Sequence, residues 1–405
     1  MNSAARWLSI IGIGEDGFEG LSTAARALVS GAALVVGGRR HLALVSDAVK
    51  GDTLSWPSPP SGAFPAILAR RGTSVCVVAT GDPFFYGIGS LLAREVRPEE
   101  MLCLPAASCF SLAAARLGWA VQDCALVTLH GRALERIIPH LQPRARILAL
   151  SWDATTPGKL AALLTHRGFG DARMTVCETM GGPRERLRAT TARDFSLGGI
   201  DDLNLVALEI GDQPHGCAIP LTPGLPDKWF EHDGQLTKQD IRAVTLAALA
   251  PRRGELLWDI GAGSGSVAIE WMLAHPSNRA IAIERDPIRA SRIARNAASL
   301  GVPDLTIVTG SAPAALRDQP RPDAAFIGGG ATSSGTIDTV WAALPGGGRL
   351  VVNGVTIETQ AVLIHCFRTF GGSLKTIQLA HADPLGGLHG MRPALPVTQW
   401  SVTKL

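Results

Sequence analysis

Residues 258–266 read WDIGAGSGS, in which a buried strand runs into three alternating glycines and then into a helix. Gly261, Gly263 and Gly265 allow the backbone to turn sharply and to approach a ligand closely, because glycine has no Cβ. Helix and strand patterns alternate from this point towards the end of the chain. This order predicts a doubly wound α/β sheet with a nucleotide-like ligand at the glycine turn.

More than half of the chain precedes that turn, and 405 residues are too many for one ordinary core. The early segments WLSIIG, ALVVGG and SVCVVATGD have the pattern of buried strands alternating with helices, which implies a mostly parallel sheet. A second α/β lobe is predicted from about residue 122. The segment DQPHGCAIPLTPGLPD contains four prolines and no periodicity. We therefore predict domains at 1–211 and 223–405, with a linker at 212–222.

The net charge and the cysteine pattern limit the kinds of partner and site that we expect. A formal net charge of +3 does not by itself indicate nucleic acid or a membrane as partner. The seven cysteines are scattered without a C-x-x-C pair, so neither a disulfide framework nor a zinc site is expected. The early apolar run is too short for a signal peptide, and no apolar stretch is long enough to span a bilayer. A cytoplasmic protein without a resident metal is expected.

A helix is predicted immediately before the second half's first strand, in LTKQDIRAVTLAALA. Thr237 and Asp240 fit a capping box, in which two side chains satisfy free amides at the start of a helix. The face that we expect to be buried consists of Ile241, Val244, Ala248 and Leu249.

The glycine turn of the second half follows Asp259 and resembles motif I of the Rossmann-like class I S-adenosylmethionine (SAM) methyltransferases. A dinucleotide fingerprint would have glycine at position 266, where Ser266 stands. Glu284 ends the strand AIAIE and is placed to accept hydrogen bonds from both ribose hydroxyls. After the next strand, the position that often contacts adenine holds Ser311 and Ala312. The stretch PDAAFIGGG lacks the signature of amine methylation, which argues against methylation of nucleic-acid bases.

The first half carries a second glycine-rich strand end, VVATGDPFFYGIG. It resembles the G-D-P-x-x-x-G motif of the tetrapyrrole methylases, whose SAM site lies between two α/β lobes. IGIGEDG, LPAASCFSL and TLHGR resemble further signatures of that family, and the resemblance extends over about residues 6–211. It implies a tetrapyrrole methylase fold and a cofactor site that includes Gly12, Gly14, Gly81, Asp82, Pro83 and Ser108. Asp82 either contacts the cofactor or only shapes its loop.

GLPDKWFEHDGQLTKQDIRA and PDAAFIGGG in the second half resemble the decarboxylating precorrin methyltransferases of vitamin B12 synthesis. A fusion of the two domain types implies methylation of C5 of precorrin-6B by the first half. It implies methylation of C15 and decarboxylation of the C12 acetate by the second half, giving precorrin-8. Two SAM sites and a homo-oligomer are implied as well. Metal-free and cobalt-containing substrates, and the order of the three steps, stay open.

The acetate and propionate arms of such a substrate require cationic partners. Candidates in the first half are Arg39, Arg40, His41, His130, Arg132, Arg184, Arg186 and Arg188. Lys238 and Arg242 are candidates in the second half. For each arginine and for Lys238, a solvated surface role is an equal alternative, and His130 is interpreted as structural or as site lining rather than as a base. No general acid is identified.

Two other interpretations remain open. The second half could methylate RNA or protein with the first half as a recognition module, although a basic tract is missing. Alternatively, the chain could bind SAM or a corrinoid without catalysis, although both cofactor loops are intact in the sequence. Labelled methyl transfer to RNA or protein tests the first interpretation, and SAM binding without turnover of any precorrin would indicate the second.

Overall fold

The computed structural model describes residues 6–212, residue 216 and residues 218–405. Residues 213–215 and 217 belong to the predicted linker at 212–222 and lie outside the described residues. The exact domain limits therefore stay predictions.

The chain divides into two compact units. The first consists of residues 1–134 and 140–217, and the second of residues 135–139 and 218–405. Each unit has its own sheets and core.

The first lobe of the first unit is built on a parallel five-stranded sheet in the order β3-β2-β4-β1-β5. Its strands are β1 (Leu8–Ile13), β2 (Leu34–Gly37), β3 (Asp52–Ser55), β4 (Val75–Thr80) and β5 (Met101–Leu104). Its helices are α1 (Thr23–Ser30), α2 (Arg39–Val45), α3 (Phe64–Leu68) and α4 (Gly89–Leu92). Alternate residues of β1 enter cores on opposite faces, with Leu8 and Ile10 on one side and Ile11 and Ile13 on the other. Burial on both faces explains the continuous apolar runs.

The second lobe has a mixed sheet in the order β6-β7-β10-β8-β9, in which only the β6–β7 pair is parallel. Its strands are β6 (Cys124–Thr128), β7 (Arg146–Leu150), β8 (Arg173–Glu178), β9 (Arg186–Thr191) and β10 (Asn204–Glu209). Its helices are α5 (Cys109–Leu117) and α6 (Thr156–His166). No helix separates β8, β9 and β10, so the alternation of strands and helices ends at β8 and these strands pair antiparallel.

The second unit is a doubly wound sheet, as the sequence predicts, and its strand order is β13-β12-β11-β14-β15-β19-β16. Its strands are β11 (Leu256–Ile260), β12 (Arg279–Glu284), β13 (Thr306–Thr309), β14 (Ala324–Ile327), β15 (Arg349–Gly354), β16 (Ser373–Ile377) and β19 (Val397–Thr403). A separate hairpin is formed by β17 (Ala380–Leu385) and β18 (Leu388–Pro393). The helices are α7 (Gln239–Leu249), α8 (Ser266–Leu273), α9 (Pro287–Ser299), α10 (Thr336–Ala343) and α11 (Ile357–Phe370).

The start of α7 differs from its prediction. Lys238 is the N-cap residue and no side chain caps the helix, so the capping box of Thr237 and Asp240 is wrong. Both side chains lie outside the capping position because the helix begins at Gln239, two residues after Thr237. Ile241 and Leu249 are buried as predicted, whereas Val244 and Ala248 are half-buried. Arg242, Thr245 and Leu246 complete the buried face.

Helix α7 runs antiparallel to β15. Arg349, the first residue of β15, donates from Nε to the Leu249 carbonyl oxygen at 2.9 Å. Asn353, near the end of β15, donates from Nδ2 to Thr245 Oγ1 at 2.8 Å. The N-terminal end of α7, with Lys238, is therefore directed towards the carboxyl ends of the parallel strands. Among the described helices, none combines the length and the hydropathy that a membrane span requires.

Candidate functional site

Three loops of the first unit meet where the parallel strands β1, β4 and β5 end. Gly81 N donates to the Ile13 carbonyl oxygen at 3.0 Å, and Ala106 N donates to the Gly81 carbonyl oxygen at 3.0 Å. A Cβ at Gly12 would collide with that Gly81 carbonyl and with the Ala106 amide. Gly12 is thus required for the close approach of the loops.

A cavity of about 390 Å³ lies in the first unit, lined by residues of both lobes. Its volume falls in the range of roughly 300–1,000 Å³ that is typical of small-molecule sites. Of the residues predicted from the sequence, the cavity is lined by Gly14, Gly81, Ser108, Arg40, His41 and His130. The predicted residues that do not line it are Gly12, Asp82, Pro83, Arg39, Arg132, Arg184, Arg186 and Arg188.

Asp82 and Ser108 organise the backbone beside this cavity. Asp82 Oδ1 accepts a hydrogen bond from Phe84 N at 2.9 Å, which shapes the turn after β4. Ser108 is the N-cap of α5, and its Oγ accepts from Ser111 N at 3.2 Å. The partial positive charge at this helix N-terminus favours an anionic group of a ligand.

Arg40 belongs to a polar network in the cavity wall. Its guanidinium forms an ion pair with Glu15 and donates to Thr80 Oγ1 at 2.8 Å. His41 Nε2 lies 2.7 Å from the same Thr80 Oγ1. Burial, reinforced by the charge of Arg40, lowers the pKa of His41 to about 4, so this imidazole is neutral at neutral pH. Arg40 is therefore the cation of this network.

The three arginines of PRERLR already pair with carboxylates of the second lobe. Arg184 lies 2.9 Å from Asp201, while Arg186 and Arg188 bind Glu178 at 2.7 and 2.9 Å. Burial raises the pKa of Glu178, but hydrogen bonds from Arg186, Asp201 N and Arg188 outweigh it and hold the pKa below its usual value. These arginines are thus paired within the lobe, and their contact with a substrate stays a prediction.

Sequence reasoning missed the aromatic side chains of the cavity. Phe85, Tyr86 and Trp152 line it, and 53% of Tyr86 and 57% of Trp152 remain exposed. The Trp152 ring centroid lies 6.2 Å from that of the exposed His130. Exposed aromatic rings beside a cavity mark a binding surface. The run FFY after Asp82 and Pro83 was a usable signal for the first two, whereas no pattern marks Trp152.

The glycine turn of the second unit joins β11 to α8. Gly261, Gly263 and Gly265 have φ angles of 70°, 59° and 75°, which other residues rarely adopt. An added Cβ would lie 2.8 Å from the Gln235 carbonyl oxygen at position 263 and 2.6 Å from Ile293 at position 265. Conformation and packing both require glycine here.

Two acidic side chains lie beside this turn. Glu284 accepts hydrogen bonds from Gly263 N at 2.9 Å and from Asp286 N at 3.0 Å. Asp259 Oδ2 accepts from Ala268 N at 3.0 Å, whereas Oδ1 is buried and finds no donor among the described residues. Burial raises the pKa of Asp259 to about 7 in spite of the Ala268 hydrogen bond, and the charge of Glu284 contributes to the increase.

Ser311 and Ala312 follow the strand beside Glu284. Glu284 is in register with Thr309, and Gly310 N donates to the Glu284 carbonyl oxygen at 2.9 Å. Ser311 is exposed and Ala312 is half-buried. The pair thus lies at the same sheet edge as Glu284, and its contact with a cofactor stays a prediction.

The segment before α7 covers the glycine turn, which the sequence did not reveal. Ser264 Oγ donates to the Gln235 carbonyl oxygen at 2.8 Å, and Asn296 Nδ2 donates to the Ser264 carbonyl oxygen at 2.9 Å. Asp233 forms ion pairs with Arg289 and Arg292 of α9, at 2.9 and 3.1 Å. These contacts fix residues 233–235 against the turn.

Arg242 and Lys238 differ in their surroundings. Arg242 is fully buried and pairs with Glu270 at 2.5 Å and with Asp227 at 3.1 Å. It also donates to the carbonyl oxygen of Leu225. A guanidinium held by these partners in the interior lies neither on the helix surface nor in reach of a substrate, which corrects both interpretations of Arg242. Lys238 is exposed, 4.0 Å from Asp227, and stays a candidate.

The donor set of each unit fits SAM. In the second unit, the glycine turn offers backbone amides, and the Glu284 carboxylate beside it offers acceptors for hydroxyl groups. In the first unit, the cavity has apolar walls, and the N-terminus of α5 with its free backbone amides lies at its edge. Over the described ranges, no group of three or more His, Cys, Asp or Glu side chains is arranged to hold a metal ion.

Comparisons with known proteins assign each half of the chain to a family of its own. Residues 8–196 match the family model of tetrapyrrole (corrin/porphyrin) methylases, and residues 228–404 match that of the precorrin methyltransferase domain. The C-terminal domain of precorrin-6Y C5,15-methyltransferase from Rhodobacter capsulatus is 48% identical in structural alignment. That alignment covers 46% of this chain and 100% of that domain, with a TM-score of 0.44.

Two curated relatives align along almost the whole chain. Precorrin-6Y C(5,15)-methyltransferase (decarboxylating) of Sinorhizobium sp. is 52% identical, over 98% of this chain and 96% of the relative. The enzyme of that name from Mycobacterium tuberculosis is 43% identical, over 98% of this chain and 99% of the relative. The chain therefore belongs to the family of decarboxylating precorrin-6Y C5,15-methyltransferases.

Proposed function

We propose that this chain is a bifunctional SAM-dependent enzyme of cobalamin biosynthesis. It would methylate C5 and C15 of precorrin-6B, or of its cobalt form, and release the carboxyl group of the C12 acetate as CO2, giving precorrin-8. The observation that carries the proposal is the presence of two different glycine turns, one in a tetrapyrrole methylase region and one in a precorrin methyltransferase region. The first unit is assigned to C5, and the second to C15 and the decarboxylation.

Each unit would hold its own SAM molecule, which supplies an electrophilic methyl group when it is bound. In the first unit, Gly14, Gly81 and Ser108 line the cavity that would receive it. In the second unit, the turn with Gly261, and Glu284 beside it, would hold the nucleoside. Methyl transfer to an electron-rich carbon needs alignment and exclusion of water more than it needs a base.

The carboxylate arms of the macrocycle would meet cations in both units. Arg40 and His130 line the first cavity, and Arg39 and Arg132 are exposed candidates on the same unit. Lys238 is directed towards the carboxyl edge of the second sheet. In the decarboxylation, the bond between the acetate carbon and its carboxyl group breaks, and its electron pair passes into the conjugated imine system. A proton then converts the acetate carbon into a methyl group.

We also infer a homo-oligomer. In the β17–β18 hairpin, Leu385, Leu388 and Met391 are 70%, 76% and 67% exposed. An isolated two-stranded hairpin is marginally stable in water, so contact with a second copy would stabilise it. Light scattering of the L385S/L388S variant should give a lower mass than the wild type, and an unchanged mass would contradict the inference. A cytoplasmic location, without a nucleic-acid or membrane partner, stays a prediction.

Mass spectrometry of the tetrapyrrole after incubation with SAM tests the proposed function. The wild-type chain should add two methyl groups and remove one CO2. Gly261→Val in the full chain should abolish the loss of CO2, because the new side chain collides with Gly329. Gly12→Val should silence only the C5 step, and a mixture of both variants should restore the full product whatever the order of steps.

Two results would contradict this assignment. Loss of CO2 that disappears with Gly12→Val and persists with Gly261→Val would reverse the roles of the units. Labelled methyl groups in RNA or protein, with an unchanged tetrapyrrole, would support the alternative of a macromolecular acceptor. SAM binding by the wild type without any transfer would indicate a non-catalytic binding protein.

A further inference from the structure

Three polar side chains form a cluster on the α7 face of the second sheet. Thr245 lies on α7, Asn353 near the end of β15, and Gln399 on β19. Asn353 and Gln399 are direct cross-strand neighbours. Thr245 and Gln399 are fully buried, whereas Asn353 is half-buried. Neither the family motifs nor the charge pattern singled out these residues.

Hydrogen bonds fix the orientation of the Asn353 amide. Thr245 Oγ1 donates to the Ile241 carbonyl oxygen at 2.7 Å, so only its lone pairs remain. Asn353 Nδ2 and Gln399 Nε2 both donate to them, at 2.8 and 3.3 Å. Gln399 Nε2 also donates to Asn353 Oδ1 at 3.0 Å. A flip of the Asn353 amide would place its carbonyl oxygen against an acceptor, so this orientation satisfies the groups of Thr245 and Asn353 that face each other.

The network leaves one donor of Asn353 free. Its Oδ1 and one Nδ2 hydrogen are engaged, while the second Nδ2 hydrogen bonds to none of the described residues. Asn353 is the penultimate residue of β15, at the carboxyl edge where open α/β sheets bind their ligands. A half-buried N–H at this edge calls for an acceptor on the ligand, and the carboxylate arms are the most numerous acceptors of a tetrapyrrole.

The cluster is poorly explained as a device for stability. Gln399 Oε1 is buried and finds no donor among the described residues, which is unfavourable for folding. An apolar side chain of similar length would remove that buried acceptor. The amide of Gln399 instead holds the amide of Asn353 in one orientation.

We propose that Asn353 is a substrate-binding residue of the second unit, whose free Nδ2 hydrogen donates to a carboxylate arm of the tetrapyrrole. Thr245 and Gln399 act as positioning residues, because they hold that donor in place without touching the substrate. The proposal rests on the proposed function and adds a specific contact to it.

The first test is Asn353→Asp in the full chain, with Asn353→Ala as a second variant. Aspartate keeps the oxygen that accepts from Gln399, loses the free donor and adds a charge that repels a carboxylate. The KM for the tetrapyrrole in C15 methylation should rise at least tenfold. The kcat at saturating substrate and the affinity for SAM should each stay near the wild-type values. The Tm should fall in both variants, because each also removes the hydrogen bond from Asn353 Nδ2 to Thr245 Oγ1.

The second test concerns the positioning residues. Gln399→Met should leave the Tm unchanged or higher, because it removes the unsatisfied buried acceptor, yet it should raise the same KM several-fold. Thr245→Val should raise this KM as well, whereas Thr245→Ser keeps the hydroxyl and should stay within twofold of the wild type. If the cluster were purely structural, a variant that raises the KM would also lower the Tm.

Two outcomes overturn the inference alone. One is an Asn353→Asp enzyme with the KM of an active wild type. The other is an increase in KM that is accompanied by a matching loss of SAM affinity in both Asn353 variants. A wild-type chain that leaves the tetrapyrrole unchanged overturns the proposed function itself, and this inference with it.

Discussion

The two units differ in the charged side chains near their glycine turns. In the first unit, Arg40 is a cation in the cavity wall, paired with Glu15 and beside a neutral His41. In the second unit, Glu284 and Asp259 place two carboxyl groups beside the turn. An acid beside a nucleotide turn suits ribose hydroxyls, whereas a cation in a cavity suits a carboxylate. We propose that the charged group serves the cofactor in the second unit and the substrate arms in the first.

The two units also use a buried glutamate differently. Glu178 of the first unit binds Arg186, whose side chain is 47% exposed. Glu270 of the second unit binds Arg242, whose side chain is completely buried, and accepts from Gly224 N and Leu225 N at 2.7 and 3.0 Å. Only the Glu270–Arg242 pair is isolated from water. The loss of one partner of this pair therefore leaves an unpaired charge in the protein interior.

The largest loss of stability is therefore expected for Arg242→Ala. Removal of one partner from a buried ion pair destabilises a protein by about 3–5 kcal/mol. The matched variant Arg186→Ala should cost only about 1 kcal/mol, because Arg188 and Asp201 N still bind Glu178. Chemical denaturation that resolves the two units measures both values. If both variants lost the same free energy of unfolding, burial would not explain a difference between the two ion pairs.

A smaller change in free energy, this time of SAM binding, is expected for Glu284→Ala. Hydrogen bonds to a charged acceptor contribute about 1.5–3 kcal/mol, so the affinity of the second unit for SAM should fall by about 10–100-fold. Glu15→Gln in the first unit is the matched change of a carboxylate. It should leave both SAM affinities within about threefold, since its charge serves Arg40.

Calorimetric titration of the full chain with SAM distinguishes these cases. The wild type should show two sites, and Glu284→Ala one weakened site. A Glu15→Gln chain that loses SAM affinity as strongly as Glu284→Ala would contradict the assignment of the two charges.

The sequence predicted those features that depend on local pattern. The doubly wound architecture of the second unit follows from its alternating elements, and the glycine positions follow from conformational demands at Gly261 and Gly263. Arg242 could not be assigned, because its partner Glu270 is distant in sequence and its burial depends on packing of the segment around Asp227. The cluster around Asn353 was equally hidden, since Thr245 and Gln399 meet only when α7 and β19 pack on β15.

The mixed sheet of the second lobe was missed for a related reason. A strand's direction is set by its connection, and β8, β9 and β10 are joined without helices. The apolar pattern of these strands is compatible with either direction. Trp152 likewise carries no local signal, because its exposure beside a cavity is a property of the fold and not of its neighbours in the chain.

The last comparison tests whether Asp259, beside the second turn, titrates near neutral pH. Burial raises the pKa of Asp259 to about 7, with Glu284 contributing, so the folded chain retains a proton that the unfolded chain loses near pH 4. The free energy of unfolding should therefore fall as the pH rises from about 4 to about 7, by at most about 1.4 kcal/mol per pH unit from this group. Asp259→Asn removes that contribution.

Denaturation of the SAM-free chain across this pH range gives the comparison. The free energy of unfolding of Asp259→Asn, minus that of the wild type, should increase between pH 4 and 7 and level off above pH 7. Asp82→Asn provides the control in the first unit, because the half-exposed Asp82 accepts its hydrogen bond from Phe84 N in a surface turn. Parallel curves for Asp259→Asn and the wild type would show that Asp259 ionises in the folded chain as it does in the unfolded chain. In that case, the two glycine turns would differ in the positions of their charged side chains and not in the pKa values of their carboxyl groups.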